Sequence, residues 1–219
     1  MGAAAYPARH PHLPHPCAAS DAGERLAVAT SAPAGQVCPA RRHNHDEPPE
    51  RNVGHRRRAH ETVDDGWVWV FSAVDHCDAC CVGIHAVKTG NRFAALQPIA
   101  QGLLGEFGGT GAEVGRGLTL RMDHGSQYTA NDFLNQVRFW GVTPSFAFVA
   151  EPQTNGVAER FNRTLKEQAI HGRIFRNLEE VRAAVVEFKD RYNRHWRLEK
   201  LGFMSPHEAR QAATLKEAA

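Results

Sequence analysis

The chain changes character at Glu61, and that break limits what can fold. Residues 1–61 hold eight of the twelve prolines and seven of the thirteen histidines, with no isoleucine, no lysine and one aromatic residue, Tyr6. Such a segment offers too little apolar surface to offset the entropy of ordering it. Residues 62–219 hold nearly all the large apolar side chains, enough for one core. The expected organisation is a low-complexity segment over 1–61, disordered or translated out of frame. A folded core over 62–213 and a short tail over 214–219 follow it.

Composition narrows the setting. No stretch approaches the roughly 18 continuous apolar residues of a transmembrane helix. The start, MGAAAYPARHPHLP, has no apolar run of signal-peptide length. Five cysteines, an odd number, argue against a secreted disulfide scaffold. The expected location is the cytoplasm. Residues 62–219 carry 18 Lys and Arg against 18 Asp and Glu, so any DNA binding must depend on local charge.

Within the folded part, WVWVFSAV (67–74) reads as a buried strand and 80–87 as its hairpin partner, with a turn at 75–78. Residues 93–107 read as a helix with Phe93, Leu96, Ile99, Ala100, Leu103 and Leu104 near one face. A Gly-rich loop, a short strand over 118–122, a helix over 131–140 and a strand over 142–149 come next. A helix is expected from about Gly156 to Arg173. A last helix starts near Leu178, capped by Asn177, with Val181, Val185, Phe188 and Tyr192 as its apolar stripe. Trp67, Trp69 and Trp140 are expected in the core. Cys77 and Cys80 form a single CxxC with no second pair, so zinc is not expected. The order implies a mixed α/β layered domain.

Two segments carry chemistry. In LRMDHGSQYTANDF, Asp123 ends a strand, and Gly125 permits the tight turn after it. In EPQTNGVAERFNRTLKEQ, Val157, Phe161 and Leu165 recur every four residues and should face the core. Glu159, Arg163 and Lys166 share another face. An acid followed by two cations suits a site for metal and phosphate, because Mg²⁺ takes hard oxygen ligands and phosphodiester chemistry often uses two such ions.

Asp123 and Glu159 are separated by 35 residues, the D-x35-E spacing of the retroviral-integrase superfamily. The segments above, with YNRHWRLEKLGFMSPHEA and the strands DGWVWVFSAVDH and CVGIHAVKTGNRFAAL, resemble the integrase core of bacterial insertion-sequence (DDE) transposases. The similarity spans roughly residues 62–213. It implies a ribonuclease H-like sheet flanked by helices, Mg²⁺ or Mn²⁺ as cofactor, and cleavage and joining of DNA strands. It also implies a homo-oligomer acting on transposon ends and target DNA. By position, Asp123 and Glu159 match two catalytic, metal-binding carboxylates, and Arg163, Lys166 and Arg160 match a DNA-facing surface. The alternatives are a non-catalytic DNA-binding or subunit-pairing remnant, and a nuclease of the same fold.

That family uses three carboxylates, the first on the central strand in a Trp-x-x-Asp context. Here its place is taken by ERNVGHRRRAHE (50–61), which has no Asp. Asp75 is a further candidate ligand. Codons for Glu50 to Arg58, moved by one nucleotide, can encode Asn-Glu-Met-Trp-Gly-Thr-Asp-Ala, a word like the missing motif. The expected consequence is a split sheet, or a substitute strand from residues near 50–61, and a weakened metal site.

Overall fold

The computed structural model describes residues 26–30, 60–146 and 156–217. Its long strand is β3 (Gly66–Asp75), where Val68, Val70 and Val74 alternate with Phe71 and Ala73, all buried. A strand apolar on both faces must be covered on both sides. β3 pairs antiparallel with β4 (Cys81–Val87) in the expected hairpin. β1 (Leu26–Thr30) pairs antiparallel with β3 and parallel with β5 (Thr119–Met122), and β5 pairs parallel with β6 (Thr143–Phe146). A three-residue strand, β2 (His60–Thr62), pairs with the start of β3.

The centre of the sheet therefore differs from expectation. A substitute strand exists, but it comes from LAVAT (26–30), inside the segment that composition set aside, with His60–Thr62 adding a short pairing. Two unpaired strand edges facing each other at a sheet's centre leave backbone donors and acceptors unmet. LAVAT is a short apolar, β-compatible run in the first 61 residues, and it satisfies both edges.

Helices cover the two faces. α1 (Arg92–Phe107), α2 (Ser126–Thr129) and α3 (Asn131–Phe139) lie on one side, where Phe71, Ile99, Leu103, Leu120, Met122 and Phe133 form a core. On that side Gly83 allows the closest approach, since a Cβ there would lie 2.0 Å from the Pro98 carbonyl oxygen. On the other side α4 (Gly156–Leu165) and α5 (Leu178–His195) pack on Val70, Val74, Ile84 and Ala86 through Phe161, Leu165, Val181, Val185 and Phe188. The α5 stripe is buried as expected, and Asn177 caps the helix by accepting from the Glu180 N–H at 3.1 Å. Asn193 of α5 bonds both backbone groups of Cys81 at 2.9 Å, tying the helix to β4.

Four expectations need correction. Trp67 is 40% exposed, because it lies at the start of β3 near the sheet's end. Phe93 and Leu104 are exposed, because the buried face of α1 runs through Ala95, Leu96, Ile99, Gly102 and Leu103. The α4 helix continues as a π-turn over Lys166–Ile170 and stops there, before Arg173, with Gly172 at φ 75° just beyond. A further helix, α6 (Pro206–Glu217), follows α5 and crosses the expected boundary at 213. The expected strand residues 147–149 and the loop 151–154 lie outside the described residues.

Candidate functional site

β5 delivers Asp123. Leu120 and Met122 point into the α1–α3 core, so strand alternation turns Arg121 and Asp123 to the α4 side. Asp123 is half-buried, and its Oδ1 accepts from the Gly125 N–H at 2.8 Å, closing a tight turn. A Cβ at Gly125 would sit 2.9 Å from that oxygen and 2.5 Å from Gln127 Nε2, so a larger residue would have to displace those two side chains; the backbone itself, at φ −58° and ψ 143°, does not need glycine. The next side chain, His124, stacks on Phe146 of β6 with ring centroids 5.2 Å apart.

α4 delivers Glu159. Its buried side chains are Ala158, Phe161, Asn162 and Leu165, and the polar one among them accepts a 3.0 Å hydrogen bond from Ser72 Oγ on β3. Ser72 pairs in register with Ala29, while the preceding residue of β1, Val28, pairs with Met122. Ser72 is thus level with the strand end that carries Asp123. The bond anchors α4 over that end of the sheet, and Glu159 lies one turn before the anchor, in the helix's first turn. Glu159 and Arg163 are exposed on α4, and Lys166 is half-buried, its ammonium pKa pulled down by burial. Sequence reading passed over Asn162; the buried-face spacing of 158, 161, 162 and 165 was the available signal.

Two candidates lie elsewhere. Asp75 pairs in register with Leu26, which is level with Leu120, three residues short of Asp123. That is about 10 Å along the strand direction. Asp75 instead meets Arg210 of α6 at 3.2 Å and accepts from the Cys77 N–H at 2.9 Å. Arg210 also pairs with Asp78 at 2.6 Å and with Glu106. Burial, then Asp78, push the Asp75 carboxyl up to about 7 against the pull of the Cys77 N–H and Arg210. Arg160 lines a cavity shared with Tyr192 and Lys200, and Glu159 is not among the residues of its wall.

Asp123 and Glu159 offer hard carboxylate oxygens, the donor type Mg²⁺ and Mn²⁺ take. Among the described residues, no group of three or more His, Cys, Asp or Glu side chains converges on one point.

This architecture has known counterparts. A cryo-EM structure of a simian T-cell lymphotropic virus intasome, in complex with a PP2A regulatory subunit, superposes with a TM-score of 0.51 at 13% identity. The match covers 69% of this chain and 51% of that one, and at this identity the likeness concerns the fold. Residues 140–206 match the integrase core domain family. The fold is thus the ribonuclease H-like fold of integrase cores, a class that generally uses divalent metals.

The relatives in sequence are more particular. The transposase for insertion sequence element IS629 of Shigella sonnei is 31% identical over 147 residues, 67% of this chain and 47% of that protein. An uncharacterized protein of insertion element IS136 from Agrobacterium fabrum is 46% identical over 48 residues, 22% of this chain and 25% of that protein. The chain carries the DDE integrase-type core domain of insertion-sequence transposases. It spans about half the length of the IS629 transposase that it matches.

Proposed function

We propose that this chain is the DNA cleavage and strand-transfer core of an insertion-sequence transposase, acting in the cytoplasm on transposon ends and target DNA, and impaired as it stands. The observation that carries the reading is the D-x35-E pair on its scaffold: Asp123 at the end of β5, Glu159 on a helix anchored level with it. Among the described residues, no helix is long and apolar enough to cross a membrane.

In this reading Asp123 and Glu159 hold Mg²⁺ or Mn²⁺ through carboxylate oxygens. Such an ion, when bound, makes water more acidic and stabilises charge on the leaving oxygen. Arg163 and Lys166, one and two turns beyond Glu159, offset phosphate charge and align the strand. An intact relative would nick DNA with water and then direct the freed 3′ hydroxyl at target DNA, as a homo-oligomer. Here residues 1–61 are read as out of frame and 62–213 as the core, so the first carboxylate is missing.

The second reading, a non-catalytic DNA-binding or subunit-pairing remnant, is favoured by the composition of Leu26–Thr30, a central strand without an acidic residue. A strand-transfer assay with Mg²⁺ and a labelled transposon end separates the two. Impaired catalysis predicts weak joining that disappears in Glu159→Gln. Joining that survives Glu159→Gln would overturn the assigned site, and none at any enzyme concentration would favour the remnant.

A further inference from the structure

A cavity of about 360 Å³ opens beside the N-terminus of α4, walled by Gly156, Val157, Arg160, Tyr192, Leu198 and Lys200. Asp123 and Glu159 are not among its walls. Two cations, Arg160 and Lys200, converge on it. Among the described residues, neither the Arg160 guanidinium nor the Lys200 ammonium makes an ion pair. Lys200 donates one hydrogen bond, to the His76 carbonyl oxygen at 3.2 Å, and retains two further protons. Burial, and to a smaller extent Arg160, lower the Lys200 pKa, against the opposing effect of Asp78 and Asp75.

The third polar group is Tyr192. It is 2% exposed, its ring held edge-on to Phe161 at 4.9 Å, and its hydroxyl has no hydrogen-bond partner among the described residues. The first turn of α4 adds backbone N–H groups that have no acceptor within the helix, at the helix's positive end. Every polar feature of the cavity thus seeks negative charge or an acceptor oxygen, and Val157 and Leu198 supply apolar wall.

We infer that this cavity binds a phosphate group of a DNA strand, held by Arg160, Lys200 and the Tyr192 hydroxyl. Its size matches the lower range of small-ligand sites and leaves room for a sugar beside the phosphate. The choice of DNA as the source rests on the transposase reading; the choice of phosphate does not.

The test uses the full chain, inorganic phosphate followed by ³¹P line broadening, and a fluorescent duplex followed by anisotropy over a salt series. Lys200→Gln should weaken phosphate binding roughly tenfold, and Tyr192→Phe should weaken it measurably while retaining the ring packing. Arg116→Gln, at an exposed residue paired with Glu113, should leave phosphate affinity unchanged. Lys200→Gln should also lower the salt slope of DNA binding by about one. No phosphate binding, or equal binding by wild type, Lys200→Gln and Tyr192→Phe, overturns the site. Variant-sensitive phosphate binding with an unaltered DNA salt slope overturns DNA as the source and assigns free phosphate. Should the wild type bind phosphate through Lys200 and yet not bind DNA, the transposase reading fails and the phosphate site stands.

Discussion

Asn162 on α4 and Ser72 on β3, 90 residues apart in sequence, share a buried hydrogen bond of 3.0 Å. Apolar helix faces can pack on a sheet in several registers, whereas a buried amide must meet its partner. The bond therefore sets where Glu159 stands relative to Asp123. Asn162→Ala should destabilise the domain by about 1–3 kcal/mol in urea unfolding, since it removes a buried hydrogen bond between helix and sheet. It should also weaken Mn²⁺ binding, measured by water-proton relaxation under conditions where the variant is folded. Unchanged Mn²⁺ affinity would show that the bond serves stability alone.

Arg210 is the cation of a cluster otherwise made of Asp75, Asp78 and Glu106, tying α6 to the β3–β4 turn and to the end of α1. Removing one partner of a buried ion cluster leaves the others uncompensated, so Arg210→Met should cost about 3–5 kcal/mol. Urea midpoints of the two proteins at neutral pH measure this.

The same cluster sets a pH dependence. The folded-state pKa of Asp75 lies near 7, above the ordinary 3.8. Between those values the folded chain holds a proton that the unfolded chain releases. This group's contribution is therefore present at low pH and lost as pH rises from about 4 to 7. A series of urea midpoints from pH 5 to 8 should decline less steeply in Asp75→Asn than in the wild type. Parallel slopes would remove Asp75 as the cause.

In the proposed reading, position 29 is where the third carboxylate would stand. The register pairs Ala29 with Ser72 and pairs its neighbour Val28 with Met122, next to Asp123. Ala29→Asp should raise Mn²⁺ affinity at least tenfold by completing a three-carboxylate set, and Glu159→Gln should cancel the gain. A substitution that leaves Mn²⁺ binding unchanged would show that β1 does not reproduce the lost strand's register.

The out-of-frame reading makes a prediction outside the protein. The gene around codons 40–62 should encode a Trp-Gly-Thr-Asp-like word in a frame shifted by one nucleotide. DNA sequencing of that stretch decides it, and absence of such a word in both alternative frames ends the idea.

Much of the fold was legible because its patterns are local. β3 is a continuous apolar run of strand length, and α5 has a regular stripe and a capping Asn. Asp123 and Glu159 stood out by spacing and flanking residues, yet neither Asn162 nor Ser72 carries a local signal for their pairing. α6 is weakly apolar, but it had an unread start signal. Ser205 and Glu208 form a capping box, Ser205 Oγ accepting from the Glu208 N–H at 3.3 Å and Glu208 from the Ser205 N–H at 2.9 Å, with Pro206 at the first helical position. β1 was not legible, because nothing in LAVAT distinguishes it except the vacancy that it fills, and that vacancy belongs to the rest of the sheet.

Leu26–Thr30 also has a kinetic meaning. In the described sheet, the β2–β3–β4 ribbon and the β5–β6 pair are joined through that five-residue strand. Each side can assemble from nearer neighbours, while the joining strand must be captured across long connections, an entropic cost met late in folding. Until then β3 and β5 present bare edges to any other chain in solution. The same slot that completes the monomer is thus, during refolding, the place where two molecules would stick together, and dilute conditions would favour the solitary product.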